Sequence, residues 1–414
     1  MEFKNVIGQE TVKHHLVDLV TQNRLSHALL FLGKEGSGSL GLALAFAQYI
    51  VCTSAKQSSS QENSALDLFG TTDLIDDVKS STQNSSLIEV AKDSCGSCPA
   101  CIKAAQMIHP DIHFSFPVIP KKSGTPPASD DYIKEWREFI FSNLYGNVYD
   151  WLQFLGAENK QGNITARECN EINQKLSLKA FESEFKILIM WMPELLGTSG
   201  NKLLKLIEEP PPGTIFIFVA EDEQAILPTI LSRTQLIRIP ALSAQEIENV
   251  LVNQYEIGHE KASQVAAVSD GNFREALRAL QHSDEDWQGL VRDWLNAILK
   301  GGPIAQIKWI DTVSRLGRER QKQLLRYFIH LLHQAIRIQF INLPADELVV
   351  SDNEQDFATR LNKMCNSEAQ EAIINELDNA IFYIERNANA KMLFHALSIR
   401  LYHIIKDNSL ILVN

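Results

Sequence analysis

The chain has 414 residues, enough for about three domains at roughly 150 residues each. It is 45% hydrophobic and 22% charged, which supports sizeable cores and excludes global disorder and fibrous repeats. Lys and Arg number 39 against 51 Asp and Glu, a net charge of -12. That balance argues against a protein that binds duplex nucleic acid alone by blanketing phosphates, and leaves room only for a local basic patch. No apolar run reaches the roughly 18 to 20 residues of a membrane span. Met1 to Gln9 is polar and mixed in charge, unlike a signal peptide, so a cytoplasmic protein with no membrane partner is expected.

In chain order, Val12, Leu16, Leu19 and Val20 fall on one helical face. The apolar run Ala28 to Leu32 predicts a buried strand. The glycine-rich Gly33 to Gly41 and a helix over Leu42 to Val51 follow. Helix, strand, glycine loop and helix open an α/β domain with a parallel sheet. Residues 53 to 93 are rich in Ser, Gln and Asn and read as a mostly disordered surface insertion. Pro117 to Ser129 is irregular, and Tyr132 to Leu155 is a helical, partly amphipathic segment carrying Trp136, Phe139, Phe141, Tyr145, Tyr149 and Trp151. Residues 112 to 165 are accordingly expected to form a second insertion, its aromatics a packed face rather than a base-stacking platform.

Order resumes with a helix over Thr165 to Leu178, a strand over Phe185 to Trp191 and a helix over Asn201 to Glu209, stopped by Pro210 to Pro212. A strand over Thr214 to Ala220, a short helical piece over Ile226 to Ser232 and a last strand over Gln235 to Ile239 complete the alternation. Three short helices are expected over Ser243 to Tyr255, Glu260 to Val268 and Asn272 to Gln281. From Trp287 onward the pattern is helical, as in a bundle: Trp287 to Leu299, Ile304 to Leu316, Arg318 to Ile341, Ser367 to Asn387 and Met392 to Lys406.

Gly33, Gly36 and Gly38 sit between a strand and a helix, as in a phosphate-cradling P-loop. Ser39 stands where the loop needs Lys, and Leu40 where it needs a Mg²⁺-binding hydroxyl. Lys34 lies on the wrong side to replace the missing ammonium. The strand from Phe185 ends in Trp191, Met192 and Pro193, with Glu194 too far along to hold Mg²⁺. The next strand ends in Val219, Ala220 and Glu221, and a carboxylate there would repel a phosphate. A working ATPase site is not expected; the alternatives are a glycine-rich turn unrelated to nucleotides and an atypical loop.

Cys95, Cys98 and Cys101 recur at a spacing that lets one turn present successive sulfurs to a tetrahedral ion. Cys52 and His109 compete as fourth ligand. Zinc, a disulfide and free thiols are the readings, the disulfide being out of place in a cytosolic protein. Four protein ligands would make the ion structural. Cys169 and Cys365 read as buried apolar residues. Glu208 and Glu209, before three prolines, read as a helix end rather than as acid and base.

Several motifs resemble the AAA+ subunits of bacterial clamp loaders. They are Ile7 to Glu10, Ser26 to Phe31, Asn201 to Pro211, Leu231-Ser232-Arg233 followed by Thr234, Gly271 to Leu277, and Arg386 to Lys391. The lost lysine and acids are similar to the delta-prime branch of that DNA polymerase III family. The resemblance implies an AAA+ core over residues 1–240, a three-helix lid over 241–285 and a helical collar over 286–414. It implies a non-hydrolysing subunit, accessory to the polymerase holoenzyme, that binds no ATP at Gly33, Gly36, Gly38 and Ser39. It further implies a structural zinc on Cys52, Cys95, Cys98 and Cys101. Partners would be the motor and delta subunits and, through the complex, the sliding clamp and primed DNA.

The family motif also implies that Arg233, with Ser232 shaping its approach, acts in trans on a neighbouring motor subunit's ATP. The alternative is a surface arginine paired with Glu221 or Asp222. Arg274 matches the second-sensor position, with packing or pairing as the expected use. Two other functions remain open: a nucleotide-binding AAA+ switch or ATPase with an atypical P-loop, and a zinc-bearing DNA-binding adaptor, which the net charge suits poorly.

Overall fold

The computed structural model describes residues 1–54, 93–121, 126–157, 160–281, 287–340, 352–386 and 388–407. The Ser-rich insertion expected at 53–93 lies almost wholly outside them. The chain divides into two compact units, Met1–Val250 with Asp270–Glu275, and Leu251–Ser269 with Ala276–Asn414.

The first unit is organised by runs of apolar residues that only a strand covered on both faces can bury. These are β1 (Ala28–Gly33), β3 (Lys186–Trp191) and β4 (Thr214–Ala220), joined by β2 (Ile112–Ser115) and β5 (Gln235–Ile239). All pair in parallel, in the order β2-β3-β4-β1-β5. Alternate residues serve opposite faces. Leu29, Phe31, Ile189, Trp191, Ile217 and Ile237 face a core shared with α1 (Glu10–Thr21) and α2 (Ser39–Val51). Ala28, Leu30, Leu188, Met190, Phe216 and Phe218 pack with Ile172 and Leu176 of the later helix Ala166–Ser177.

The segment expected as a second insertion is part of this core. Its first residues are β2, whose Ile112 pairs with Ile187 and Ser115 with Met190. The strand is four residues long and contains His113 and Ser115, so its apolar signal is weak. After α3 (Pro99–Ala105), the helices α4 (Ile133–Ser142) and α5 (Val148–Phe154) bury Trp136, Phe139 and Trp151. Trp136 stacks on Phe116 at 4.1 Å and meets Trp151 edge-on at 5.3 Å and Trp191 of β3 at 5.2 Å. The Trp151 indole donates to the Pro117 carbonyl at 2.7 Å. The expectation of a packed aromatic face holds for these three residues, while Phe141 is exposed.

The unit is completed by α6 (Ala166–Ser177), α7 (Leu204–Glu208), α8 (Pro228–Leu231) and the start of α9 (Ala244–Tyr255). A 3₁₀ run over Pro193–Leu203 precedes α7, so the helix expected from Asn201 starts late, after Gly197 breaks the backbone at φ 49°.

The second unit is helical. It holds α10 (His259–Val268), most of α11 (Phe273–Gln281), α12 (Trp287–Asn296), α13 (Gly302–Ser314), α14 (Arg318–Phe340), α15 (Asp352–Met364), α16 (Ser367–Glu385) and α17 (Ala390–Asp407). Its core joins Trp294, Phe328, Leu331, Leu377, Phe394 and Leu401. Trp294 stacks on Trp309 at 4.6 Å and donates its indole N–H to Ser398 Oγ at 2.9 Å. The helix expected to run to Leu299 gives way to a π turn over Ala297–Gly301, before Gly302 and Pro303. Helix α15 was not anticipated, since Asp, Asn, Glu and Gln crowd its first turn. Among the described residues, no helix is long and apolar enough to cross a membrane.

Candidate functional site

The glycine loop joins the C-terminal end of β1 to the first turn of α2, at the edge where parallel sheets bind ligands. Gly36 (φ 72°) and Gly38 (φ 87°) adopt the left-handed backbone that glycine permits. The Ser37 and Ser39 hydroxyls lie 2.8 Å apart and are buried. Lys34 is exposed. Gln9, also at positive φ, ties the loop down by donating to Ser37 O at 3.2 Å and Pro240 O at 2.7 Å.

The loop is covered by the chain itself. A Cβ added to Gly38 would sit 3.0 Å from Tyr145 Cε1, and one on Gly41 would sit 3.2 Å from Leu144 Cδ2. Gly36 has Asn272 against it, and its carbonyl accepts from Phe273 N–H at 3.2 Å. A cavity of about 30 Å³ remains between the loop, Leu144 to Gly146, Trp191 and Val219 to Glu221. That is room for roughly one or two waters.

Arg274, matched in sequence to a nucleotide sensor, is buried among carboxylates. It forms a bidentate pair with Asp150 and donates to Glu35 at 2.7 Å and to Glu275 at 2.8 Å. Burial opposes its charge, but the bonds to Asp150 and the charges of Glu35, Asp150 and Glu275 outweigh it and push its pKa up. Glu194 accepts from the Glu221 and Asp222 N–H groups at 2.6 and 3.0 Å, so its carboxylate braces the end of β4. Burial raises its pKa in spite of these donors.

Arg233 follows Ser232, the C-cap of α8. Its partner is Glu208, not Glu221 or Asp222. The Glu208 carboxylate accepts from Nε at 2.6 Å and lies 2.5 Å from Nη2, while Nη1 donates to Thr229 O and Ser232 Oγ, each at 2.9 Å. The Arg233 side chain is 35% exposed. The acid read as a helix end thus has a second use, which the sequence hid because the pair is 25 residues apart.

The four cysteines converge. The Sγ atoms of Cys52, Cys95, Cys98 and Cys101 all lie within 4.8 Å of one another, and Cys95 and Cys101 are 3.9 Å apart. Four sulfurs about 2.3 Å from one zinc ion would be separated by about 3.8 Å, so this donor set fits the ion. Backbone N–H groups of Cys95, Cys98 and Cys101 donate to the sulfurs of Cys52, Cys95 and Cys98 at 3.3 to 3.4 Å. The amides of Ser97 and Cys98 lead in bringing the Cys95 thiol down to about 5, the thiolate form a metal needs. Burial pushes the Cys101 thiol up instead.

His109 lies elsewhere. Its Nδ1 accepts from Asp111 N–H at 3.2 Å, and its Nε2 is 3.5 Å from Glu182. Burial lowers its pKa. Cys169 is buried in a core of the first unit and Cys365 in the core of the second, and burial raises both thiols to about 11.

A family model described as DNA polymerase III, delta subunit, matches residues 8–90 and 80–243, over half the chain. The chain belongs to this family. The clamp-loader resemblance read from the motifs is borne out. The delta' subunit of Bacillus subtilis DNA polymerase III is 24% identical over 278 residues, 67% of this chain and 60% of that protein. The tau subunit of the same organism is 22% identical over 338 residues, 80% of this chain and 46% of that protein. The chain therefore spans about half the length of these curated relatives. A solved gamma-subunit-related protein from Thermotoga maritima aligns over 94% of this chain and 99% of its own at 13% identity, with a TM-score of 0.33. A likeness that weak describes neither domain arrangement nor activity.

Proposed function

We propose that this DNA polymerase III delta-family chain is a cytoplasmic, non-hydrolysing clamp-loader subunit that supplies Arg233 to a neighbouring motor subunit's ATP. The family match over residues 8–243 carries the reading. It is supported by a phosphate loop with Ser39 and Leu40 in place of Lys and a hydroxyl, and by the small cavity left at that loop. Its partners are motor and delta-type subunits and, through the assembly, the sliding clamp and primed DNA. The proposed division is a core over 1–240, a lid over 241–285 and an oligomerising collar over 286–414. The alternative of a nucleotide switch finds no support in the described residues around the loop.

A finger arginine stabilises charge that develops on the transferred phosphoryl group. A guanidinium one-third exposed and held by one surface carboxylate suits this task. The exposed pair with Glu208 is worth roughly 0–1 kcal/mol, so exchanging it for a phosphate costs little. Ser232 and the Thr229 carbonyl fix the third nitrogen and thereby the direction of approach.

Zinc belongs to this proposal as a structural ion on Cys52, Cys95, Cys98 and Cys101. The test is reconstitution with motor and delta-type subunits, followed by ATPase assay with clamp and primed DNA. The chain should co-elute with its partners, and Arg233→Ala should lower turnover without disturbing that assembly. Failure to co-elute would refute the reading.

A further inference from the structure

We propose that the loop Asn143 to Asn147 is a built-in occupant of the phosphate cradle, which holds the first unit closed without nucleotide. The inference deepens the proposed function, since it rests on reading Gly33 to Ser39 as a degenerate P-loop. It concerns a different cause: the missing lysine weakens phosphate binding, whereas this loop takes the phosphate's place.

The placement is specific. Tyr145 lies on Gly38 and Leu144 on Gly41, two of the positions where the absence of a side chain lets another group approach. The Tyr145 hydroxyl accepts from the Ile7 N–H at 3.0 Å, and its ring meets Phe273 edge-on at 4.9 Å. Both ends of the loop are anchored. On one side Phe139 is buried in the core. On the other, Asn147 caps α5 through Asp150 N–H at 3.0 Å and donates its amide to Glu35 Oε2 at 3.0 Å. Glu35 is itself a residue of the glycine loop, and Asn272 and Arg274 donate to its other oxygen at 3.3 and 2.7 Å.

Charge points the same way. Arg274 is the cation buried beside the loop, and three carboxylates, Glu35, Asp150 and Glu275, already face it. Glu221 lines the remaining cavity. A triphosphate entering here would displace an aromatic ring and meet carboxylates, with the exposed Lys34 the one basic residue lining the cavity. The clasp of Arg274 on Glu35 and Asp150 fixes the segment Asn272 to Glu275 against the loop, the attachment that a bound nucleotide would otherwise have to supply.

The test uses the full chain in four forms: wild type, Leu144→Gly with Tyr145→Gly, Ser39→Lys with Leu40→Thr, and all four substitutions together. Binding of a fluorescent ATP analogue with Mg²⁺ is titrated, after circular dichroism and thermal melting establish that each form is folded. The loop-restored form should bind no better than wild type, and the fourfold variant about ten-fold tighter or more. Equal binding by those two forms would overturn the proposal. Amide exchange provides a second reading that needs no ligand. Removing Leu144 and Tyr145 should speed exchange at Ile7, Ser37 and Phe273 by about ten-fold or more, with distant amides unchanged. If no form binds the analogue, that exchange decides, and unaltered protection refutes the occupant. Neither result bears on Arg233 in the assembled loader, so failure here stays separable from failure of the proposed function.

Discussion

Arg274 illustrates how a residue's chemistry is set by what surrounds it rather than by its motif. Four charges share a site that is mostly shielded from water, so removing the cation leaves carboxylates buried and uncompensated. Arg274→Met should destabilise the first unit by about 3–5 kcal/mol, read as a shift in the urea midpoint of intrinsic tryptophan fluorescence. A change near zero would mean that the carboxylates are solvated.

His330 of α14 supplies a prediction for the second unit. Burial, assisted by His333 and Arg337, lowers its pKa to about 4 from an ordinary 6.5. The unfolded chain therefore binds a proton that the folded chain refuses between those values. Stability is intact above about pH 6.5 and falls as pH drops towards 4, by up to about 3 kcal/mol. His330→Leu should flatten this part of the profile, seen as a smaller gap between melting temperatures at pH 7 and pH 5. An unchanged gap would assign acid sensitivity to other groups.

At the scale of elements, the strands buried on both faces were legible because their apolar runs are unbroken. The fourfold alternation of strand and helix followed from that. β2 was hidden by His113 and Ser115 at the sheet edge, and the helices after it then looked detached. Their aromatics are in fact wedged beside Trp191, so Trp136→Ala should cost about 3–5 kcal/mol in chemical denaturation, as expected of core rather than of a removable insertion.

The cysteine module was legible from spacing alone for Cys95, Cys98 and Cys101. Its fourth member, Cys52 at the end of α2, was named by the family resemblance over His109, and the fold brings its sulfur to the other three across 43 residues of sequence. Purified protein should carry about one zinc ion, measured by metal analysis. Cys98→Ser should abolish it, and Cys169→Ser should leave it. Loss in both variants would point to general unfolding instead of ligation.

On the scale of the whole molecule, the sequence disclosed a glycine loop with Ser39 and Leu40 in place of Lys and a hydroxyl, but not the side chains packed onto it. Tyr145 reads as one aromatic among several, and only the tertiary structure brings it onto Gly38, more than a hundred residues away. In the same way Glu208 reads as a helix end until the chain returns Arg233 to it. Motif order still identified the family, because strand, loop and helix positions stay legible where individual loop residues differ.

In the proposed function Arg233 acts on a neighbouring subunit's ATP. The most direct test is single-turnover ATP hydrolysis by the reconstituted loader with clamp and primed DNA, comparing Arg233 with Arg233→Ala and Arg233→Lys. A fall of about ten-fold or more is expected for alanine at unchanged assembly and nucleotide occupancy. Lysine, with its charge but not its fork, should restore the rate only in part. A rate unchanged by Arg233→Ala in a fully assembled loader would contradict that role.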